Sequence, residues 1–394
     1  MTTSCTSVSP TKTASFGDDV RFLRRHTDVI VLSDSAGQSK VAVIPAYQGR
    51  VMTSSARGDG GTSYGWVNRE LIASGKFQPH INVFGGEDRF WLGPEGGQFS
   101  IFFAKDVPFD LDHWFTPAPI DTEPFLTVEK TATSARFRRD MTLTNYSGTT
   151  LQLEANREIR LVDARSALAP LGIRLPADVA SVAFESINTI RNTGAEAWRK
   201  ETGLLSIWIL GMFNAAPETT VVIPFVPGPE SALGPIVNDT YFGKVPADRL
   251  VVGENVLFFK ADANYRSKIG ISPRRAKPWM GSYDAANGVL TLVEFTLPAG
   301  ATDYVNSMWE LQKEPYGGDA VNSYNDGPPK PGAPGLGRFY ELESSSPALA
   351  LNPGESATHR HRTFHLEGNP EVLDAVARKV LGVGLPEIKA ALAR

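Results

Sequence analysis

Hydrophobic and polar positions alternate with a period of two along most of this chain. Residues 29–32 and 40–45 read as paired strands joined by the turn Ser33-Asp34-Ser35-Ala36-Gly37. Residues 50–54 continue the sheet, and Gly58-Asp59-Gly60-Gly61 ends it. Further strands are predicted at 125–128, 135–144, 150–162, 179–191, 203–212, 220–225, 250–260, 268–272, 279–283, 288–297, 304–309, 338–343 and 358–366. These runs are rich in β-branched and aromatic residues, which suit a pleated, half-buried surface. Helical patterns are confined to the ends. Asp18-Asp19 opens a short helix to about residue 26. Asn369-Pro370-Glu371 supplies a cap, a first-turn proline and an acidic first turn for a helix to residue 381, and 385–392 predicts another. So many strands without alternating helices predict an all-β protein of large stacked antiparallel sheets with short terminal helices.

No repeat or composition shift divides the chain. Residues 1–15, rich in Ser and Thr, read as a disordered tail. Residues 16–368 read as a single β domain, and 369–394 as a helical segment packed on it. The Pro/Gly stretch 327–337 reads as a long surface loop.

Composition narrows the function classes. The chain has 394 residues, 42% of them hydrophobic, enough to bury a large core. A net charge of −4 and the lack of a long basic run argue against nucleic-acid binding. The single cysteine, Cys5, excludes an intramolecular disulfide. No stretch approaches the roughly 18 apolar residues of a membrane helix. As written, the N-terminus lacks the apolar core of a signal peptide, which predicts a cytoplasmic protein. If a signal was trimmed, Cys5 would be the remnant of a lipoprotein anchor and the protein periplasmic. Nucleophile elbows, glycine-rich phosphate loops and CxxC pairs are absent from the sequence. Oligomeric state is left open.

Several clusters could carry chemistry. Glu341 and Glu343 stand two apart on a predicted strand, so they share a face about 6.6 Å apart. Adjacent carboxylates push their pKa values apart, which suits acid–base work. From residue types alone, a solvated face with arginine partners is the preferred reading of this pair. Between Gly86 and Glu95, Arg89 can clamp hydroxyls and Trp91 can stack on a sugar ring. The alternative places Trp91 in the core and pairs Arg89 with Glu87 or Glu95. His80 and Asn82 fall on a presumed strand just upstream, and His80 could titrate near neutrality. Trp309 and Glu310 precede an unusual stretch, 315–327, in which polar, aromatic and glycine residues mix. Long ordered loops often carry function. Asp319, Asn322, Asn325 and Asp326, with Tyr324 among them, offer oxygens to sugar hydroxyls or to Ca²⁺. The spacing of a Ca²⁺-binding EF-hand is absent, so no metal or cofactor is expected, and Asx turns account for the same residues. His359, His361 and His365 share one face of the last strand, as zinc ligands or as the polar dressing of an edge strand.

Three segments resemble the galactose mutarotase-like superfamily. They are Val41-Ala42-Val43-Ile44-Pro45 through Gly49-Arg50-Val51-Met52, then Gly85-Gly86-Glu87-Asp88-Arg89-Phe90-Trp91-Leu92-Gly93-Pro94-Glu95, and finally Tyr340-Glu341-Leu342-Glu343-Ser344-Ser345 with Leu351-Asn352-Pro353-Gly354-Glu355-Ser356. They come in the superfamily's order, and the best match is a bacterial branch without assigned chemistry rather than the true aldose 1-epimerases. The resemblance implies a β-supersandwich and a carbohydrate ligand in a groove of the concave sheet. It makes Glu343 the general base. The acid histidine of the mutarotases should fall near residues 206–211, where none stands. The resemblance thus implies acid–base chemistry at a sugar C–O bond, of the hydrolase, lyase or epimerase type. His80 or a loop acid would be the partner, and Arg89, Trp91, Glu95, Asn82, Trp309, Glu310, Tyr324, Asn325 and Asp326 would bind substrate. The alternatives are a non-catalytic glycan-binding protein and a purely structural β face.

Overall fold

The computed structural model describes residues 14–330 and 332–393. Eighteen strands among them form three antiparallel sheets. β1 (Ile30–Ser33), β2 (Lys40–Ile44) and β3 (Arg50–Ser55) make a small one. β4 (Arg89–Gly93) follows an irregular stretch. β5 (Leu126–Lys130), β6 (Ser134–Thr144), β7 (Thr150–Val162) and β8 (Ala180–Asn192) run as a meander. Next come β9 (Ser206–Asn214), β10 (Thr219–Pro224), β11 (Leu250–Val252), β12 (Val256–Lys260), β13 (Ser267–Ile271) and β14 (Trp279–Asp284). β15 (Val289–Phe295), β16 (Val321–Asn325), β17 (Phe339–Ser345) and β18 (Ser356–Glu367) complete the set. The largest sheet has ten strands in the order β11-β12-β10-β14-β15-β18-β8-β7-β6-β5. The third has five, β13-β16-β17-β9-β4.

The inner face of the five-stranded sheet packs on the ten-stranded one. Phe90, Ile207 and Ile209 share a core with Phe137, Leu153 and Ile190, while Ile269, Val321 and Leu342 share one with Val221, Leu257 and Val293. On β6 and β7 burial alternates, so their outward residues face solvent. On β4, β9, β16 and β17 nearly every residue is buried, because loops also cover the sheet's outer face. The terminal helix Pro370–Leu381, capped by Asn369, and the helix Leu385–Ala391 lay Leu373, Val376, Leu381 and Ile388 against Phe364 and Leu366 of the large sheet.

Several expectations need correction. Ser15 is not tail: it caps the helix Phe16–Leu23 through a capping box with Asp18 and bridges Thr62. Residues 1–13 of the expected tail lie outside the described residues. That first helix ends at Leu23, short of residue 26. Residues 304–309 form no strand, because Tyr304 spends its backbone groups on Tyr316 and Gly318 of the neighbouring loop. Conversely, residues 321–325 are strand, since both neighbours, β13 and β17, complete their hydrogen bonding. His80 and Asn82 lie on irregular chain. β18 is no edge strand: it runs between β15 and β8.

A polar layer lies inside the sandwich. Arg157, fully buried, donates to Asp88 Oδ1 (2.5 Å), the Asp88 carbonyl (2.8 Å), the Gly49 carbonyl (3.1 Å) and Asn188 Oδ1 (2.6 Å). Removing one member of a buried pair strands the other. Arg157→Met should therefore destabilise the fold by about 3–5 kcal/mol, and Asp88→Asn in the same chain should recover part of the loss. Urea unfolding of the two variants checks this; a single variant as stable as wild type would contradict it.

Candidate functional site

The site is built by strand register on the outer face of the five-stranded sheet. Glu341 and Glu343 point outward from β17. Glu343 stands opposite Asn322 on β16 and Leu210 on β9, and Glu341 opposite Tyr324 and Met212. One strand further, Lys268 of β13 is opposite Tyr324, while Arg89 and Trp91 of β4 are opposite Leu210 and Trp208.

Glu343 has no exposure to solvent. Its Oε2 accepts from Lys268 Nζ at 3.0 Å and from Trp208 Nε1 at 2.9 Å, while Oε1 has no partner among the described residues. Arg89 Nη2 donates to Glu341 Oε1 at 3.1 Å, and its guanidinium lies 4.1 Å from the Trp91 ring centre. Trp91 meets Trp208 edge to face at 5.4 Å.

Loops close over this face. Tyr241 donates its hydroxyl to Asp319 Oδ2 at 2.7 Å, and Asn322 Nδ2 donates to the Tyr241 oxygen at 3.3 Å. Gly270 makes room for that carboxylate: a Cβ there would come within 1.9 Å of Asp319 Oδ2. On the other flank Trp309 Nε1 donates to Glu95 Oε1 at 3.2 Å. Between the flanks lies a narrow cleft with about 10 Å³ of room, enough for one water. Its lining includes Ser206, Trp208, Tyr241, Lys268, Ser307, Asp319 and Asn322. Glu343 sits beneath Lys268 and Trp208.

Four carboxylates and two cations make the electrostatics tight. Burial pulls the Lys268 ammonium down, but Glu343, Glu95 and Glu341 together outweigh it and hold the amine above its ordinary range. Burial pushes Glu341 up; Arg89 opposes this and Glu343 adds to it. Burial raises half-buried Glu95 as well, against the pull of Lys268. Asp319 is pushed up to about 6 by burial, despite hydrogen bonds from Tyr241 and Asn238 and the charge of Lys268.

The sequence candidates separate on this map. Arg89, Trp91 and Glu343 meet in one cluster, and Glu95 and Trp309 flank it. Tyr324 is on the face, but its hydroxyl is given to Asp326 Oδ1 (2.7 Å), and Asp326 Oδ2 accepts from the Gly337 N–H (2.8 Å). Asn325 turns to the opposite side and pins Ala263 N and Tyr265 O. Asn82 is clamped to Asp121 at 2.7 Å. The His80 ring binds the Trp114 carbonyl at 2.7 Å, stacks on Phe115 and is not part of the cleft lining. Glu310 is exposed on its loop.

The histidines of β18 face the inside of the sandwich. His359 Nε2 and His361 Nδ1 both meet Ser344 Oγ at 2.8 Å, and burial lowers these imidazoles to about 3 and about 4. His365 bridges Glu87 (2.8 Å) and Thr291 (2.9 Å). Among the described residues no three His, Cys, Asp or Glu side chains are grouped to hold a metal.

Sequence reasoning missed Lys268, Trp208 and Tyr241, and gave Asp319 no part beyond a loop oxygen. Trp208 stands in the segment where the resemblance would put the acid histidine, so that gap was the available signal. Tyr241 had none.

Asp319 sets a pH test. Its carboxyl rises from an ordinary 3.8 to about 6, so the folded chain holds this proton more tightly than the unfolded one. That contribution to stability is complete below 3.8 and is lost as pH rises through about 6. Asp319→Asn removes the titration while keeping a carbonyl to accept from Tyr241. Urea unfolding from pH 3.5 to 8 should show the wild-type stability, relative to the variant, declining across that window and then levelling. A difference that stays flat would contradict the shift.

Comparison with solved structures identifies the architecture. A protein from Escherichia coli K12, provisionally named an aldose 1-epimerase, is 14% identical, with a TM-score of 0.51 over 87% of this chain and 99% of its own. A galactose mutarotase-like protein from Lactobacillus casei is 10% identical, with a TM-score of 0.48 over 86% of this chain and 100% of its own. At such identities the likeness is one of fold, and the fold is the antiparallel β-supersandwich of galactose mutarotase-like structures. A search of curated proteins returns no match. With residues 14–392 matched by its model, the chain belongs to the family of unknown function DUF6786.

Proposed function

We propose that the protein binds a carbohydrate at the mouth of the cleft on the outer face of the five-stranded sheet and performs acid–base chemistry at a sugar C–O bond, with Glu343 as base. One observation carries this reading. Glu343 Oε1, Arg89 Nε, Trp91 Nε1 and Ser206 Oγ are buried polar atoms of the same sheet face without partners among the described residues. Buried groups are rarely left unpaired. Two N–H donors, a hydroxyl and a carboxylate oxygen match the hydroxyls of a sugar, which both donate and accept. Trp208 lines the cleft beside them, whereas Trp91 is packed in the core, as the alternative reading had it.

The two oxygens of Glu343 divide the work. Oε2 is held by Lys268 and Trp208, which orient the group. Oε1 is left to take a proton from a sugar hydroxyl. Asp319 is the favoured acid, because it lines the cleft and burial lifts it toward the working pH range. It would return a proton to the ring or leaving oxygen. The mutarotase-like fold and the match of Glu343 to the superfamily's base position support the same assignment.

A non-catalytic glycan-binding role is favoured by one fact, the zero exposure of Glu343 beneath its two partners. Glu343→Gln separates the two. In the catalytic reading it lowers turnover of the best substrate, found by screening mono- and oligosaccharides, by about 10²–10⁴-fold with the circular dichroism spectrum unchanged. Full turnover in the variant would remove Glu343 as base. Saturable sugar binding without any turnover in wild type would leave the glycan-binding role standing.

A further inference from the structure

Two asparagines fix the direction of the hydrogen bonds around Asp319. The amide nitrogen of Asn322 lies 3.2 Å from the Ile269 carbonyl and 3.3 Å from the Tyr241 oxygen. A backbone carbonyl only accepts, so this end of the amide is the nitrogen, and both its hydrogens are given away. The Tyr241 oxygen therefore accepts from Asn322, and its own hydrogen goes to Asp319 Oδ2 at 2.7 Å. Asn238 is set in the same way. Its Oδ1 accepts from the Thr240 N–H at 3.4 Å and the Thr240 hydroxyl at 3.1 Å, and a backbone N–H only donates. Asn238 Nδ2 is thereby turned to Asp319 Oδ2, 3.4 Å away.

Both donors reach the same oxygen. Oδ2 is also the oxygen that lies against Gly270, which stands opposite Asn322 in the sheet. Asn238 and Gly270 exchange backbone hydrogen bonds of 2.8 and 2.7 Å, which ties the donor loop to that strand. Asp319 Oδ1 has no partner among the described residues, and it is not one of the unpartnered polar atoms sealed from solvent. An oxygen that already accepts from two donors is a poor place for a proton, so protonation falls on Oδ1.

We infer that Tyr241, Asn322 and Asn238 are positioning residues: they reserve Asp319 Oδ2 as an acceptor and put the acid proton on Oδ1, the oxygen left open. This rests on the reading of Asp319 as the acid and adds which atom delivers the proton. The Oδ1–H bond breaks as the proton passes to the ring or leaving oxygen of the sugar, and the bonding pair stays on Asp319. The charge that forms is shared with Oδ2, where two donors already stand, so no group has to turn during the transfer. Lys268 of β13 is the other charge acting on Asp319. Tyr241 is held well above its normal range and does not compete for the proton.

Infrared difference spectra of the chain without ligand, between about pH 4 and about pH 8, test this on either side of the Asp319 value near 6. The protonated-carboxyl band that Asp319→Asn removes belongs to Asp319. With the proton on Oδ1, its C=O bond is the one to Oδ2, weakened by two donors. Tyr241→Phe should then move the band to higher frequency. The titration midpoint should rise by about 1 pH unit, because a donor that favours the carboxylate is gone. Asn238→Ala should move both in the same direction by less, with the circular dichroism spectrum unchanged. A band that stays in place in Tyr241→Phe puts the proton on Oδ2 and overturns the assignment, as does a difference spectrum that Asp319→Asn leaves unaltered. Full turnover of a sugar substrate by Asp319→Asn would instead end the acid reading, and the positioning role with it, whatever the band does.

Discussion

A carboxylate withdrawn from water at the centre of the five-stranded sheet sets the terms for everything around it. Leaving Glu343 charged and alone would cost several kcal/mol. Its neutralising partner, Lys268, comes from β13, two strands away across β16. Adjacent strands are about 4.8 Å apart, so only a long side chain can reach that far. Trp208 closes from β9 on the other side. A slip of one residue in any of these strands would turn its site residues inward. The ion pair therefore depends on the register of four neighbouring strands, and burial of the pair punishes any other register.

The same strand serves a second interior. Between outward Glu343 and outward Ser345 lies Ser344, whose hydroxyl points inward to His359 and His361 on β18. Nearby, Arg157 binds Asp88 one residue before Arg89. Each half of the site thus has an inward neighbour fixed in the polar layer between the sheets. The scaffold holds the outer face by anchoring the alternate residues of the same strands, which leaves the outward side chains free of structural duty beyond pairing with one another.

This arrangement explains what could be read from the sequence. The β architecture was legible because β6 and β7 keep a clean alternation, and the last long helix because Asn369-Pro370 marks its start. The shared face of Glu341 and Glu343 followed from the period of two. β16 was not legible as a strand: Asn322, Ser323 and Asn325 look like turn residues, and only long-range pairing with β13 and β17 buries them. Lys268 was hidden for a related reason, since a lysine on a strand ordinarily signals a solvated face. Asn82 and His80 drew attention by their chemistry, yet local partners, Asp121 and the Trp114 carbonyl, take them up. Residue type suggested capacity; register and loop closure decided which capacities meet.

The missing histidine is where the geometry says most about chemistry. In its expected segment stands Trp208, whose indole N–H donates to Glu343. An indole can hold and orient a carboxylate but cannot exchange a proton at neutral pH, because its nitrogen is a donor only. Lys268 cannot easily substitute, since three carboxylates hold its amine above the ordinary range. Tyr241 is poorer still: burial and the neighbouring Asp319 hold its phenol well above its normal value. On the proposed reading, proton exchange at the cleft therefore passes to a carboxyl that burial has raised, Asp319. On that reading the site works with two carboxyls: Glu343, held and oriented by Lys268 and Trp208, and Asp319, raised by burial toward the working pH.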